Sequence, residues 1–196
     1  NKAAVKWYTL AAEQGYAQAQ AFLGALYQEG KAVLQDYKAA VKWYTLAAEQ
    51  GHALAQFNLG WNYEKGVGVP RDGKTAVKWY TLAAEQGNAQ AQFNLGGIYR
   101  NGDGVSQNYK TAVKWYSRAA EQGDPKSQTV MGLMYASGYG VLEDFVYAHM
   151  WANIGPSNGD EMGGELRDTL AKKMTSSEVE KAQDLARECV AKNYKG

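Results

Sequence analysis

With one cysteine, two histidines and three prolines in 196 residues, the chain has little from which the commoner kinds of site are built. The lone Cys189 excludes an internal disulfide framework and any cysteine-rich metal centre. His52 and His149 each lack a second histidine or a carboxylate at ligand spacing, so there is no zinc motif of the H-E-x-x-H kind. No G-x-S-x-G, S-x-x-K or Cys-His arrangement is present, and nucleophilic catalysis has no candidate nucleophile. Charge of one sign is equally scarce. The 21 Lys and Arg nearly cancel the 20 Asp and Glu without forming blocks, which leaves no electrostatic footprint for nucleic acid or an anionic membrane. No apolar run approaches the roughly 20 residues that a membrane helix needs.

What the chain has instead is repetition. AVKWYTLAAEQG occupies Ala40 to Gly51, recurs letter for letter at Ala4 to Gly15 and Ala76 to Gly87, and returns at Ala112 to Gly123 with Ser117 and Arg118 as its changes. Trp7, Trp43, Trp79, Trp115 and Trp151 stand 36 residues apart, each followed by a glycine in the same register. A fixed period of this length marks a solenoid or propeller, in which each unit buries its apolar face against its neighbours. The phase gives a partial unit 1–15, units 16–51, 52–87, 88–123 and 124–159, and a closing segment 160–196. Asn1 aligns with Tyr37, inside a unit. The chain is therefore expected to be a piece or processed product of a longer one, with any signal peptide upstream.

Each unit reads as two helices. The second, from Tyr37 to about Gln50, sets Ala40, Val41, Tyr44, Ala47 and Ala48 on one side and Lys38, Lys42, Thr45 and Glu49 on the other. Asp36, Asp72, Asn108 and Asp144 mark its start, where a short side-chain oxygen caps free N–H groups for about 1 kcal/mol. Gly51 and its equivalents suit the left-handed conformation past its end. The first helix, as in Asn88 to Asn101, has caps available at Asn88 and Asp124, a first-turn proline at Pro125, and His52 at the same capping register. Gln56, Leu59, Gly60 and Tyr63 recur in every copy, apart from Met131 in place of leucine. A mid-helix glycine costs about 1 kcal/mol relative to alanine, so its return at Gly24, Gly60, Gly96 and Gly132 implies close approach of a helix carrying a bulky Trp or Tyr.

The array ends irregularly. Gly155-Pro156-Ser157-Asn158-Gly159 is expected to break the helix that carries Trp151. Met162, Leu166, Leu170 and Met174 then recur every four residues, and Thr175 with Glu178 makes a capping box ahead of Val179, Ala182, Leu185, Ala186, Cys189 and Val190. These read as two closing helices over the last apolar face, with Cys189 a buried, inert thiol. Gly68 to Thr75 fits the phosphate-binding pattern G-x-x-x-x-G-K-[ST], but that chemistry needs a strand before the loop, and this segment follows a helix. Lys74 is set aside, and no cofactor or metal is expected. Glu49, Glu85 and Glu121 recur as a solvated helix end, while carboxylates converging from adjacent units stay open as a hydrolase alternative.

The pattern A-x-x-x-L-G-x-x-Y-x-x-G-x-G-V, then D-Y-x-x-A-x-x-W-Y-x-x-A-A-E-Q-G, resembles the Sel-one-like repeat (SLR), a relative of the tetratricopeptide repeat. It is carried by Ala91, Leu95, Gly96, Tyr99, Gly102, Gly104, Val105, Tyr109, Ala112, Trp115, Tyr116, Ala119, Ala120 and Gly123, and it spans almost all of residues 1–154. MWANIG followed by LAKKMTSSEVEKAQDLA is similar to the tail of many bacterial members. The resemblance implies an all-α, right-handed α-solenoid of 36-residue helix-turn-helix repeats with C-terminal closing helices, its first helices lining a concave surface. It also implies a non-enzymatic scaffold or adaptor for another protein, with a lean towards export or the cell envelope. Two positions depart from the pattern: Ala32 stands where Gly68, Gly104 and Gly140 sit, and Gly73 replaces the aromatic of Tyr37, Tyr109 and Phe145. The cysteine-rich branch of the family ties its helix pairs with disulfides, which this chain cannot do.

Copies within one chain separate what the architecture fixes from what it leaves free. Gln18, Phe22, Ala25 and Glu29 become Leu54, Asn58, Trp61 and Lys65, then Gln90, Asn94, Gly97 and Asn101, then Lys126, Val130, Leu133 and Ser137. The spacing i, i+4, i+7, i+11 places each set on one face of one helix. Stacked copies would align these faces into a strip along the concave side, edged by Leu26, Asn62, Ile98 and Met134. The candidate protein-binding residues are Phe22, Leu54, Asn58, Trp61, Lys65, Gln90, Asn94, Lys126, Val130 and Leu133. Trp61 stands outside the 36-residue register, and aromatic anchors are over-represented in binding hot spots. Asn58 and Asn94 suit hydrogen bonds to a peptide backbone, each about 0.5 to 1.5 kcal/mol net. The expected ligand is a protein or peptide, held by a monomer, with no nucleic acid and no membrane insertion. Competing readings are a recognition module for a host protein or cell-wall glycan, an enzyme using Lys74 or a site assembled across units, and solvated drift of the strip.

Overall fold

The computed structural model describes residues 2–194. Among these it has eleven helices and no strand: α1 (Lys2–Glu13), α2 (Ala17–Glu29), α3 (Tyr37–Glu49), α4 (Ala53–Lys65), α5 (Gly73–Glu85), α6 (Ala89–Asn101), α7 (Tyr109–Ala120), α8 (Pro125–Ser137), α9 (Phe145–Ser157), α10 (Met162–Ala171) and α11 (Ser176–Ala191). Helices α2, α4, α6 and α8 are the first helices of successive repeats, and α3, α5, α7 and α9 are the second. Asn1, aligned above with Tyr37, lies outside the described residues. The chain forms two compact units, Asn1–Ala91 and Gln92–Gly196, divided within α6.

The helices begin where short polar side chains meet their first N–H groups. Asp36 Oδ1 accepts from the N–H of Lys38 at 2.9 Å and of Ala39 at 3.0 Å, and Asp72, Asn108 and Asp144 repeat the cap in their own copies. The first helices are capped by His52 Nδ1, Asn88 Oδ1 and Asp124 Oδ2 at 3.3, 2.8 and 2.7 Å. These bonds occupy donors that a helix otherwise leaves unpaired.

In residues 1–91, α2 to α5 pack as hairpins in which a tyrosine of the second helix lies under the glycine of the first. A Cβ on Gly24 would stand 2.6 Å from the Tyr44 ring, and one on Gly60 would stand 2.8 Å from that of Tyr80. The recurring glycine is thus the seat of a tyrosine, as the close-approach argument requires. Leu23, Leu59, Tyr44 and Tyr80 are fully buried around it. A second device spans three helices. The buried amide of Gln20 donates from Nε2 to Ala12 O at 3.0 Å and accepts at Oε1 from Gln50 Nε2 at 2.7 Å. Gln56 does the same with Ala48 O at 3.1 Å and Gln86 Nε2 at 2.7 Å. Both halves of a buried amide are satisfied, which is the condition for placing one in a core.

Residues 92–196 follow the same plan and then close it. A Cβ on Gly96 would stand 2.6 Å from the Tyr116 ring, and Gln92 Oε1 accepts from Gln122 Nε2 at 2.7 Å. The last repeat has Ala152 in place of the tyrosine. There α8 and α9 approach until a Cβ on Gly132 would meet Ala148 O at 3.0 Å. Asn158 takes the glutamine's part, donating to Gln128 Oε1 at 2.8 Å and accepting from Tyr194 Oη at 3.1 Å. The closing helices form as expected, α11 behind the Thr175/Glu178 capping box. Ala186 and Cys189 of α11 join Met131, Met150, Trp151 and Ile154 in one apolar cluster.

One expectation is corrected: Gly155-Pro156 does not break α9, which continues to Ser157. Pro156 falls in the last turn, where it forfeits one i→i−4 bond but no further turn follows for its ring to disrupt. The pair forms a packing seam, since a Cβ on Gly155 would collide with Thr129 Oγ1 and one on Gly163 would stand 2.7 Å from the Pro156 ring.

Candidate functional site

All sixteen positions of the variable register are exposed or half-buried. In residues 1–91, Phe22 is 39% exposed and lies against the Tyr8 ring at 4.1 Å. Leu54 is 51% exposed, Asn58 and Trp61 are half-buried, Gln90 is exposed, and the exposed Lys65 pairs with Glu64. His52 Nε2 lies 2.9 Å from Gln18 Oε1, joining the α2 face to the start of α4. In residues 92–196, Asn94 is half-buried, Lys126 is exposed, and Val130 rests half-buried on the apolar cluster. Leu133 is 37% exposed. Three of the four expected edge residues are not at the surface: Asn62, Ile98 and Met134 are buried, and Leu26 is half-buried. Asn62 Nδ2 is spent on Val67 O at 2.9 Å.

The second unit also holds a groove of about 560 Å³ between α6 and α8. Leu133 and Ser137 of the variable register form one wall with the buried Met134, and Asn101 of the same register stands opposite beside Arg100. Its end is made by Tyr109 and Tyr139, stacked at 4.8 Å and 10°. Gln107 holds that end in place, donating to Arg100 O at 2.7 Å and to Tyr109 Oη at 3.1 Å. Arg100, Gln107, Tyr109 and Tyr139 were outside the sequence-derived set. Two carried a signal: Arg100 shares its register with Gln28, Glu64 and Ala136, and Tyr139 shares its own with Lys31, Val67 and Asp103, so both vary between copies.

Five consecutive Sel1 repeats match residues 1–16, 17–52, 53–88, 89–124 and 125–155. The chain belongs to the Sel1 repeat family. A protective antigen of uropathogenic Escherichia coli strains displaying an SLR fold is 40% identical, with a TM-score of 0.84 over 93% of this chain and 40% of that one. The chain therefore spans well under half of that protein. A Sel1 repeat protein from Oxalobacter formigenes is 38% identical, with a TM-score of 0.77 over 97% of this chain and 81% of that chain. No curated protein matches the chain. Its fold class is the all-α helical solenoid that the repeat implied.

Within this Sel1 repeat chain the sites of other chemistries can be judged on geometry. The N–H groups of Lys74 and Thr75, which a phosphate would need, donate to Asp72 Oδ1 at 3.0 and 3.2 Å. The Thr75 hydroxyl bond holds the Asp72 carboxyl below its ordinary pKa, so the loop presents an anion where phosphate would bind. No group of three or more His, Cys, Asp and Glu suited to a metal occurs among the described residues. No helix among them is long and apolar enough to cross a membrane. Cys189 is buried, and burial pushes its thiol up, the direction of an unreactive cysteine.

Proposed function

We propose that this Sel1 repeat chain is a non-enzymatic scaffold that holds a peptide or partner helix on the exposed face of its first helices. One observation carries the reading: the sixteen positions of the variable register, from Gln18 to Ser137, differ between otherwise near-identical copies and are all exposed or half-buried on α2, α4, α6 and α8. Exposure alone does not make a register vary, since the solvated Lys38, Lys74 and Lys110 hold one residue type across three copies. Trp61, Phe22 and Leu133 supply apolar contact, and Asn58 and Asn94 supply hydrogen bonds, the mixture found at the centres of protein interfaces.

The test is affinity capture from the source organism's lysate, comparing the wild-type chain with a folded Trp61→Ala/Asn94→Ala variant. A protein retained by the first and lost from the second supports the scaffold reading and names its partner. Equal recovery on both sinks it.

A further inference from the structure

The groove between α6 and α8 differs from the rest of the variable face in one respect. Among the residues that line it, Arg100 alone carries a charge. Its Nε donates to Asn101 Oδ1 at 3.3 Å, and it makes no ion pair among the described residues. The nearby Asp103 carboxylate accepts from Asn101 Nδ2 at 3.2 Å and lies outside the lining. One repeat earlier the same register holds Glu64, which accepts from Tyr80 Oη at 2.7 Å and pairs with Lys65. The exchange of Glu64 for Arg100 replaces a satisfied carboxylate by a guanidinium with unspent donors. Gly97, one turn before Arg100, removes the side chain that Trp61 places there in the preceding copy. The same groove is lined by the apolar Leu133, the amide of Asn101 and the hydroxyl of Ser137.

Resting on the scaffold reading, we infer that this groove takes a peptide segment in which an aspartate or glutamate side chain neighbours an aliphatic one. The carboxylate lies on the Arg100 guanidinium, the aliphatic side chain lies on Leu133, and Asn101 and Ser137 meet the peptide backbone. A guanidinium accepts a carboxylate through two parallel N–H donors and has no acceptor to offer an amide or ammonium, so the pairing selects by sign. The volume falls within the range of about 300 to 1,000 Å³ in which clefts hold ligands.

The probe is a set of dye-labelled tetrapeptide pools, acetylated and amidated so that the sole carboxylate is a side chain. Their central pair is Leu with Glu, Leu with Gln, or Leu with Lys, and binding is read by fluorescence anisotropy. The wild-type chain is expected to bind the Glu pool about fivefold to tenfold tighter than the Gln pool, the difference between a charged and a neutral hydrogen bond. Arg100→Gln should equalise the two, and it is accepted by the architecture because Gln28 holds that register in another copy. Arg100→Glu should favour the Lys pool. Thermal melts confirm that each variant is folded. Equal binding of the Glu and Gln pools to wild type, or a preference that survives Arg100→Gln, would overturn the acidic specificity and leave the scaffold reading standing. Binding of none of the pools would overturn both at this groove.

Discussion

At Gly60 there is no room for a methyl group, and that fact sets how closely α4 and α5 pack. Gly60→Ala gains about 1 kcal/mol of helix propensity and loses about 1 to 3 kcal/mol to overpacking against Tyr80, so a net loss of about 1 kcal/mol is expected in urea unfolding. Gly60→Ala/Tyr80→Leu should recover part of it. A single variant as stable as wild type would show that the ring yields freely. Ala32 makes the opposite case. Its φ of +63° is left-handed, a conformation costing an alanine about 1 to 2 kcal/mol, whereas Gly68, Gly104 and Gly140 fill that register in the other copies. Ala32→Gly should stabilise by about 1 kcal/mol after the entropy a glycine loses, and an unchanged urea midpoint would contradict the strain. Both glycine registers were legible in the sequence as departures from good helix or loop chemistry. That Tyr44, Tyr80 and Tyr116 fill the space was legible only as a bulky aromatic of unspecified register, because helical spacing fixes a face and leaves the partner on the next helix open.

At the scale of elements, the buried amides join one helix to the next. Gln86→Ala removes the donor to Gln56 Oε1, leaving a buried acceptor unpaired, and should cost about 1 to 3 kcal/mol, with exposed Gln90→Ala as the neutral control. Equal stability of the two would remove the amide from the account of repeat coupling. In the closing segment, His149 on α9 is buried, and its pKa is lowered first by that burial and then by Arg167, with Asp168 opposing. A histidine held neutral in the folded chain takes up its proton more readily when unfolded. Stability is then present above the unfolded value of about 6.5 and is lost as pH falls through it, at no more than about 1.4 kcal/mol per unit, until the folded pKa is reached. Chemical denaturation between pH 7.5 and 5 should show a steeper loss for wild type than for His149→Gln, and parallel slopes would exclude this source. Helix boundaries and caps were legible because a cap is a local bond between residues two or three apart. The Gln20 to Gln50 bond joins positions thirty apart that both look merely invariant, so periodicity marked the letters without revealing the bracket. The groove escaped for a related reason: comparison along one helix face found Leu133 and Asn101, while Arg100 and Tyr139 stand on the neighbouring stripe and in the loop.

For the molecule as a stack of repeats, an end is where an apolar face must be covered, since each repeat buries its surface only on its neighbours. In residues 92–196 the cover is α11, whose Ala186 is 3% exposed and whose Cys189 is 8% exposed, against Met131, Met150 and Trp151. The cysteine is therefore a reporter of that seal, being the chain's single thiol. A thiol that reacts only when α11 lifts is labelled in proportion to the open population, so long as reclosing outpaces reaction. Ala186→Lys places an ammonium in the seam, and a buried unpaired charge costs several kcal/mol unless the helix moves out to hydrate it. Since each 1.4 kcal/mol is tenfold in population, labelling by a disulfide reagent should accelerate by roughly 100-fold or more, together with a rise in binding of a hydrophobic dye. Gln183→Lys, on the exposed face of the same helix, should leave the rate within about twofold. If Ala186→Lys labels as slowly as wild type, lifting of α11 is not the route by which the Cys189 thiol becomes reactive, and the account of α11 as an opening seal fails.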